Sequence, residues 1–506
     1  MSRTTKSFRN ILVALFGQIS ITLIGFIARK VFILFLNAEY LGLNGLFSSI
    51  LTVLSLAELG LGPAMIFSLY KPLADKDLQV CCALMRLYQK VYRIIGSAVF
   101  IIGVCITPFI TILIDNVPDN ITNIHLIYVL FVINSAISYF FSYKRSFITA
   151  SQNQYVIDGT HTIMYLALNT LQIVVLALTG NYILFLVIQI MATLLENVIL
   201  SFIVKKRYPW LDVKNNYEIP EKKKREINRN VKAMVLHRIG GIVTDAIDNI
   251  LISKFYGLLF LGLYSNYLLV IKAIKSLIQT FFSSITANIG DFGVNKSPPE
   301  SFKLYNKIQF FDFWITTFCS ISLLVLIDPF ISLIWLGDDY IISFPILIVI
   351  VFNFYIDGMR KTILTFKEAF GLPWYDRYKP LVAATVNIVA SLIFMKLFGV
   401  IGVFIGTTFS QLFVNVWVEA KVLFKYGFNR PLKIFLKDYL IKSNIFICIC
   451  IFTYYISTFI ETTISGFIIR CIICLFIPNF IIIMIYKHTE EFKYVIELIK
   501  KIMHLK

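Results

Sequence analysis

Long runs of apolar residues, separated by short polar stretches, repeat along the whole chain. Most runs reach roughly 20 residues, the length that a helix needs to cross the hydrocarbon core of a bilayer. Several are longer, so we expect those helices to tilt or to protrude from the membrane. The pattern predicts an all-α polytopic membrane protein with about fourteen transmembrane helices. The predicted spans are residues 10–36, 41–70, 78–114, 121–149, 155–180, 182–204, 233–256, 258–290, 308–336, 341–366, 378–398, 400–424, 440–460 and 464–486.

The composition agrees with this pattern. The 506 residues are 58% hydrophobic and only 15% charged, whereas a soluble globule of this length needs a larger polar exterior. The N-terminal segment Met1 to Arg9 is basic and precedes an apolar run, as in a signal peptide. That run is too long for a signal peptide and lacks a small-residue cleavage site, so we interpret it as a retained first helix.

The net charge of +18 has two interpretations, an acidic partner such as nucleic acid or a bias of Lys and Arg toward cytoplasmic loops. The distribution favours the second. Basic residues, among them Arg3, Arg145 and Arg360, occupy alternate connections, while the opposite connections are short and carry acids such as Asp115 and Asp119. The positive-inside rule then predicts that both termini are cytoplasmic, and no nucleic-acid partner is needed.

The longest polar stretch, Lys205 to Lys232, follows six predicted spans, and six more spans and a final pair come after it. This arrangement predicts a duplication with parallel repeats. The triplets Leu41-Gly42-Leu43 and Leu261-Gly262-Leu263 support it, because each lies at a junction between two spans. The predicted regions are an N-terminal six-helix lobe (1–207), a basic cytoplasmic linker (208–232), a C-terminal six-helix lobe (233–426), and a cytoplasmic connection, helix pair and amphipathic tail (427–506).

Soluble-enzyme motifs are missing from the sequence. It contains no Walker loop, metalloprotease helix or Gly-x-Ser-x-Gly elbow. Asp75 and Asp77 have the spacing of a nucleotide-sugar metal site, but they directly precede a predicted helix, where capping carboxylates are expected. The eight cysteines are scattered, and we interpret them as free thiols. The outer connections are short, which favours a transporter over an enzyme and predicts neither a catalytic nor a metal site.

Ionisable residues inside the spans are informative, because each costs roughly 2.5–3.5 kcal/mol at a helix centre. Arg238, Asp245 and Asp248 project toward one face of a predicted helix. For any one of them, a structural ion pair and a cavity position are equally good interpretations, whereas the whole face favours a cavity. The candidate residues are Arg29, Glu58, Arg238, Asp245, Asp248 and Lys272, and Glu196 and Glu419 are further carboxylates in the spans.

Two blocks carry a resemblance to a known family. The stretch from Glu39 to Asp77 resembles the first block of polysaccharide flippases. Asp245-x-x-Asp248-Asn249, followed by Gly262-Leu-Tyr-Ser-Asn-Tyr267, is similar to their second-half block. These flippases form the Wzx-like branch of the multidrug/oligosaccharidyl-lipid/polysaccharide exporter superfamily. The likeness extends through most of the chain, including the helix count and the basic midpoint linker.

The resemblance implies two six-helix lobes in a V, which move an undecaprenyl-pyrophosphate-linked oligosaccharide across the bacterial cytoplasmic membrane by alternating access. Arg29, Arg238 and Lys272 would contact the anionic headgroup. Glu58, Asp245 and Asp248 would bind H⁺ or Na⁺, and no other cofactor is implied. The expected partners are the lipid-linked oligosaccharide, membrane lipid, a polysaccharide polymerase and a chain-length regulator.

Three alternatives stay open. The chain could be a drug or metabolite–cation antiporter, or a lipid II flippase, of the same superfamily. A membrane polysaccharide polymerase or ligase is the alternative from a different class. The extra helix pair, the cations in the spans and the matched blocks favour the oligosaccharide flippase.

Overall fold

The computed structural model describes residues 3–55, 61–115, 117–211, 221–295 and 297–502. Side chains are described in these ranges except at 3–15, 61, 63, 64, 221–245, 284, 287, 288, 290–295, 498, 499, 501 and 502. The described residues are helical without β-strands. The α-helices are α1 (Arg3–Leu54), α2 (Leu61–Ala74), α3 (Leu78–Ile106), α4 (Ile124–Ala150), α5 (Gln154–Thr179), α6 (Tyr182–Arg207), α7 (Glu221–Asn295), α8 (Pro298–Pro329), α9 (Phe344–Met359), α10 (Lys361–Ala369), α11 (Lys379–Phe398), α12 (Ile401–Ser410), α13 (Trp417–Val422), α14 (Leu432–Thr458), α15 (Ile464–Tyr486) and α16 (Glu490–Ile502).

The predicted all-α membrane fold is confirmed. Within the described ranges, eleven helical segments are long and apolar enough to cross a membrane. Two of them, Phe16–Leu54 and Ala246–Ser283, contain a sharp kink and correspond to two predicted spans each. The shorter helices α9 and α10 together occupy one further predicted span.

The kinks lie at corresponding places in the two predicted repeats. Asn37 breaks α1 with φ 68° and ψ 172°, and Gly257 breaks α7 with φ 78° and ψ 174°. This region of the backbone map is nearly restricted to glycine. Each Leu-Gly-Leu triplet begins four residues after its kink. The two backbones therefore repeat the same local structure at the point where the triplets occur.

The two triplets also meet in space. Gly42 faces the carbonyl oxygen of Leu258, and Gly262 faces the carbonyl oxygen of Ala38, so that a Cβ at either glycine would overlap that oxygen. Ala38 and Leu258 each directly follow a kink. The contact is reciprocal, as across a two-fold axis, and small residues permit such close backbone approach. This geometry supports the predicted duplication.

The chain divides into two compact units, residues Met1–Ser265 and Asn266–Lys506. Residues from α2, α3, α4, α5 and α6 form an apolar core in the first unit, with Tyr88, Phe147 and Leu200 among its most buried members. In the second unit α8, α9, α10, α14 and α16 contribute to a core that contains Phe313, Tyr355 and Phe366. The unit boundary lies inside α7, so these packing units are a different division from the lobes predicted from the repeat.

Two local predictions can be compared with the structure. Asp77 caps α3, because its side chain accepts a hydrogen bond from the backbone N–H of Val80 at 3.1 Å, as the capping interpretation requires. The amphipathic tail forms α16, but its apolar face packs on the protein. Phe492 stacks on Trp314 with ring centroids 5.6 Å apart, and Val495 is buried. The tail helix is therefore attached to the rest of the second unit.

Candidate functional site

The predicted site residues are divided between the two units. Arg29 is half-buried on α1, Asp248 is buried on α7, and both belong to the first unit. Lys272 is exposed on the part of α7 that belongs to the second unit. Glu58 and the side chains of Arg238 and Asp245 lie outside the described residues, so the helix face that these two share with Asp248 stays a prediction.

Arg29 lies inside a membrane-spanning segment, eight residues before the kink at Asn37. A helix rises about 1.5 Å per residue, which places Arg29 about 12 Å from the bend. Its charge interacts with the Tyr165 side chain of α5. Within the described part of the chain, Arg29 forms no ion pair. A cation at this depth normally faces a polar or water-filled space.

Asp248 belongs to a turn of α7 that packs against the rest of the first unit. Its neighbour Asn249 donates a hydrogen bond to Ser49 of α1 at 2.9 Å. One turn later, Ser253 donates to the carbonyl oxygen of Leu113 at 3.1 Å. Asp248 itself is 8% exposed. Its carboxylate is therefore surrounded by protein.

A charged cluster, not predicted as a site, connects three helices of the first unit. Arg145 of α4 donates to Glu196 of α6 at 2.7 Å and to Asn197 at 3.2 Å. The Nδ1 atom of His161, on α5, lies 3.3 Å from both carboxylate oxygens of Glu196. The Glu196 side chain is 11% exposed, but those of Arg145 and His161 are 33% and 47% exposed. We call these four residues the α4–α6 cluster.

Sequence reasoning counted Arg145 among cytoplasmic loop residues and recorded Glu196 without a partner. The structure places Arg145 within the membrane-spanning segment Ile124–Ala150. Its position before the predicted end of that span is a signal that could have found it. Glu196 lies 51 residues away along the chain, and no local pattern connects the two residues.

A buried ion network occupies the second unit. Both Arg360 and Lys379 pair with Glu419, which is fully buried. The Arg360 guanidinium donates to the two carboxylate oxygens of Glu419 at 2.9 and 2.8 Å. This bidentate geometry is the strongest form of an Arg–carboxylate pair. Arg360 is 9% exposed and lies between α9 and α10.

The local fold explains the position of Arg360. It lies at the break between α9 and α10. The first turn of α10 is capped by Asp312 of α8, whose Oδ2 accepts from the backbone N–H of Thr362 at 3.0 Å and from its hydroxyl at 2.8 Å. Gly358 packs tightly against Thr316 just before the break. The cap and the close contact together hold Arg360 toward Glu419.

The network continues to α7. Lys275 pairs with Asp357 at 2.8 Å, and Arg360 approaches the same carboxylate at 3.4 Å. We call Lys275, Asp357, Arg360, Lys379 and Glu419 the α9–α13 network; it has three cations and two carboxylates. Lys272, one turn before Lys275, forms no ion pair within the described part of the chain. It leaves an exposed positive charge beside a largely compensated network.

The charged side chains of the structure differ in their capacity to bind a ligand. The α9–α13 network balances most of its own charge, so it suits a structural role. Arg29, Lys272 and the exposed faces of Arg145 and His161 have donor capacity left for an anion. Guanidinium and ammonium groups in a membrane protein are suited to phosphate and carboxylate ligands.

One family model and several solved structures match this chain. The family model described as "Polysaccharide biosynthesis protein" matches residues 7–287, more than half of the chain and including both resembling blocks. No curated protein sequence matches the chain.

Several solved structures share the fold. A lipid II flippase MurJ in an inward closed conformation has a TM-score of 0.61 at 15% identity, over 94% of this chain and 98% of that one. A mutant of the Vibrio cholerae MATE transporter VcmN has a TM-score of 0.59 at 12% identity, over 85% and 98% of the two chains. An inward-facing MATE family transporter of the MOP superfamily has a TM-score of 0.56 at 15% identity, over 82% and 97%.

The family model identifies the family of the chain, and the solved structures, at 12–15% identity, show its fold. The first predicted block, from Glu39 to Asp77, lies wholly within the matched residues. This chain belongs to the polysaccharide biosynthesis protein family and shares its fold with the MurJ and MATE transporter structures.

Proposed function

We propose that the protein flips undecaprenyl-pyrophosphate-linked oligosaccharide repeat units from the inner to the outer leaflet of the bacterial cytoplasmic membrane. These units would serve the assembly of capsule, O-antigen or exopolysaccharide, and both termini of the protein would be cytoplasmic. The observation that carries the proposal is that Arg29 has an intramembrane position without an ion-pair partner among the described residues, in a chain of the polysaccharide biosynthesis protein family.

The charge chemistry supports this substrate class. A pyrophosphate is a compact multiple anion, and an Arg guanidinium binds phosphate oxygens through two parallel hydrogen bonds. Arg29 and Lys272 would contact the headgroup, together with Arg238 in the undescribed part of α7. Arg145 and His161 add donors to those predicted from the sequence. The polyprenyl tail can stay in the bilayer, so the protein needs a polar path only for the headgroup.

The glycine contact supports alternating access. By the predicted topology, the kinks at Asn37 and Gly257 lie at the extracytoplasmic ends of their helices. Gly42 and Gly262 bring the two backbones together beside these kinks. The packing there is between bare backbone surfaces, and separating such surfaces costs mainly dispersion contacts. We propose that this contact closes the extracytoplasmic side and parts when the substrate is released.

The buried carboxylate of Asp248 is the candidate group for ion coupling. Asp248, with Glu58 and Asp245, would bind H⁺ or Na⁺ and couple its entry to the return of the empty transporter. Asp248 is buried next to Asn249, which bonds α1. Loss of its negative charge would therefore change the contact between α7 and α1.

The test compares two neighbouring residues of α1. Arg29→Ala should reduce polysaccharide export by about tenfold or more, since an Arg–phosphate interaction of this kind contributes roughly 1.5–3 kcal/mol. The matched control is Lys30→Ala, because Lys30 is exposed. Export is measured in a strain deleted for the gene, as surface polysaccharide and as undecaprenyl-linked intermediate accumulated inside. Unchanged polysaccharide in the deletion strain would reject the proposal.

A second candidate is a lipid II flippase, favoured by the similarity to MurJ over nearly the whole chain. Depletion of the gene would then stop peptidoglycan synthesis and not only surface polysaccharide. A drug or metabolite–cation antiporter would instead show efflux of cationic dyes. A polymerase or ligase would change polysaccharide chain length while translocation continued.

A further inference from the structure

A groove in the second unit lies outside all the residues considered so far. It has a volume of about 640 Å³ and is formed by α7, α8 and α16. This volume is within the range of roughly 300–1,000 Å³ that is typical of small-molecule sites. The groove therefore has room for more than water.

The walls of the groove are apolar. Phe281 of α7 and Phe311 of α8 contact each other with ring centroids 4.6 Å apart. Ile289 and Val495 are buried and form the floor. Leu304 and Ile308 are half-buried along the α8 side. Such a lining suits a hydrocarbon chain.

The polar residues of the groove are Glu300, Lys303 and Lys307, all on the first turns of α8. Lys303 is exposed, and the Lys307 ammonium lies 4.8 Å from the ring centroid of Tyr494. Glu300 is committed to capping α8, since its carboxylate accepts hydrogen bonds from the backbone N–H and hydroxyl of Ser297 at 3.2 and 2.9 Å. The two lysines are therefore the polar groups with donor capacity at the mouth.

We propose that this groove binds an anionic membrane phospholipid, with an acyl chain between α7, α8 and α16 and the phosphate on Lys303 and Lys307. Basic pockets between membrane helices on the cytoplasmic side commonly bind acidic lipid headgroups. The predicted topology places the start of α8 on that side. A phospholipid matches both the apolar walls and the paired cations, whereas a soluble anion would leave the walls unused.

The bound lipid would also stabilise α16. Tyr494 and Val495 line the groove, and the neighbouring Phe492 stacks on Trp314 of α8. A lipid chain beneath them would add contacts to a helix that otherwise attaches through one face. This role is separate from the proposed transport reaction and can be tested without it.

The test measures binding of phosphatidylglycerol to the purified full-length protein by native mass spectrometry after delipidation. Reversing both charges, Lys303→Glu with Lys307→Glu, should weaken binding by about tenfold or more, because each lysine near an acidic headgroup contributes about one decade or slightly less. The control is Lys433→Glu with Lys437→Glu, an exposed pair with the same spacing near the start of α14 and outside the groove. Phosphatidylcholine should bind weakly to all variants.

A second variant removes the space and keeps the charges. Leu304→Trp should fill the groove and reduce phosphatidylglycerol binding while the lysines stay in place. If the charge-reversed protein does not fold, this variant alone tests whether the groove binds the lipid. If both charge-reversed lysine pairs lost phosphatidylglycerol binding equally, the binding would be a non-specific surface attraction and the proposal would be overturned. Unchanged binding in Leu304→Trp would also overturn it. Tighter binding of undecaprenyl phosphate than of phosphatidylglycerol would assign the groove to the transported lipid instead.

Discussion

The α4–α6 cluster of the first unit and the α9–α13 network of the second use the same residue types in opposite ways. Glu419 is fully buried and held by two cations whose side chains are each 10% exposed. Glu196 is held by Arg145 and His161, whose side chains are 33% and 47% exposed. A closed network has no donor left for a ligand, whereas an open one keeps some. Charge in a membrane helix therefore marks function only when part of it still faces an accessible space.

The matched substitutions Glu419→Gln and Glu196→Gln test this difference most strongly. Glu419→Gln should lower the free energy of unfolding by about 3–5 kcal/mol, because removing one partner leaves buried cations uncompensated. Glu196→Gln should cost only about 1 kcal/mol, since its partners are partly exposed. Thermal unfolding of the purified protein in one detergent measures both. Equal costs would show that the two clusters are energetically alike.

Arg145→Ala sharpens the functional side of the comparison. We expect a loss of stability of about 1 kcal/mol, because the Arg145 side chain is one-third exposed. Polysaccharide export should nevertheless fall several-fold, since one anion donor is lost. Export is normalised to the amount of protein in the membrane. A large stability loss together with normal specific export would make this cluster a second structural network.

Lys275→Ala and Lys272→Ala test the edge of the α9–α13 network. Lys275→Ala removes one of the cations near Asp357 and should cost about 1 kcal/mol, since Arg360 stays at 3.4 Å and Lys275 is 39% exposed. Lys272→Ala should change stability by less than about 0.5 kcal/mol, as is usual for surface positions. Unfolding temperatures measure both changes. A larger cost for Lys272 would mean that it belongs to the network.

Asn37→Gly and Gly257→Asn compare the two kinks. Glycine adopts this backbone region freely, whereas asparagine is strained there by about 1 kcal/mol or more. Asn37→Gly relieves this strain, but glycine also increases the conformational entropy of the unfolded chain. The substitution should therefore be neutral or slightly stabilising. Gly257→Asn should destabilise by about 1 kcal/mol. Changes of opposite sign in the free energy of unfolding would support the equivalence of the two kinks, and changes of the same sign would contradict that equivalence.

Local features were predictable from the sequence because their physical causes are local. The spans follow from run length, and Asp77 caps a helix because a carboxylate at that position meets the exposed N–H groups of the first turn. The positions of the Leu-Gly-Leu triplets located the junctions. Their direct contact was not predictable, because nothing in a triplet specifies which distant backbone it will meet.

The charged site was predicted less well. Charge counting assigned Arg145 and Arg360 to loops because each lies near the end of an apolar run. Their partners, Glu196 and Glu419, are 51 and 59 residues away. A hydropathy window cannot detect such a pair, since the residues meet only after the helices have packed.

The sequence by itself determined that the chain crosses the membrane many times and which segments do so, because transfer of a segment into hydrocarbon depends on the sum of its own residues. It also determined the family, through the two resembling blocks. Only the tertiary structure decided which charges are compensated, where the two Leu-Gly-Leu segments touch, and which cations keep open donors. These properties depend on distances between helices, and helix packing sets those distances after insertion.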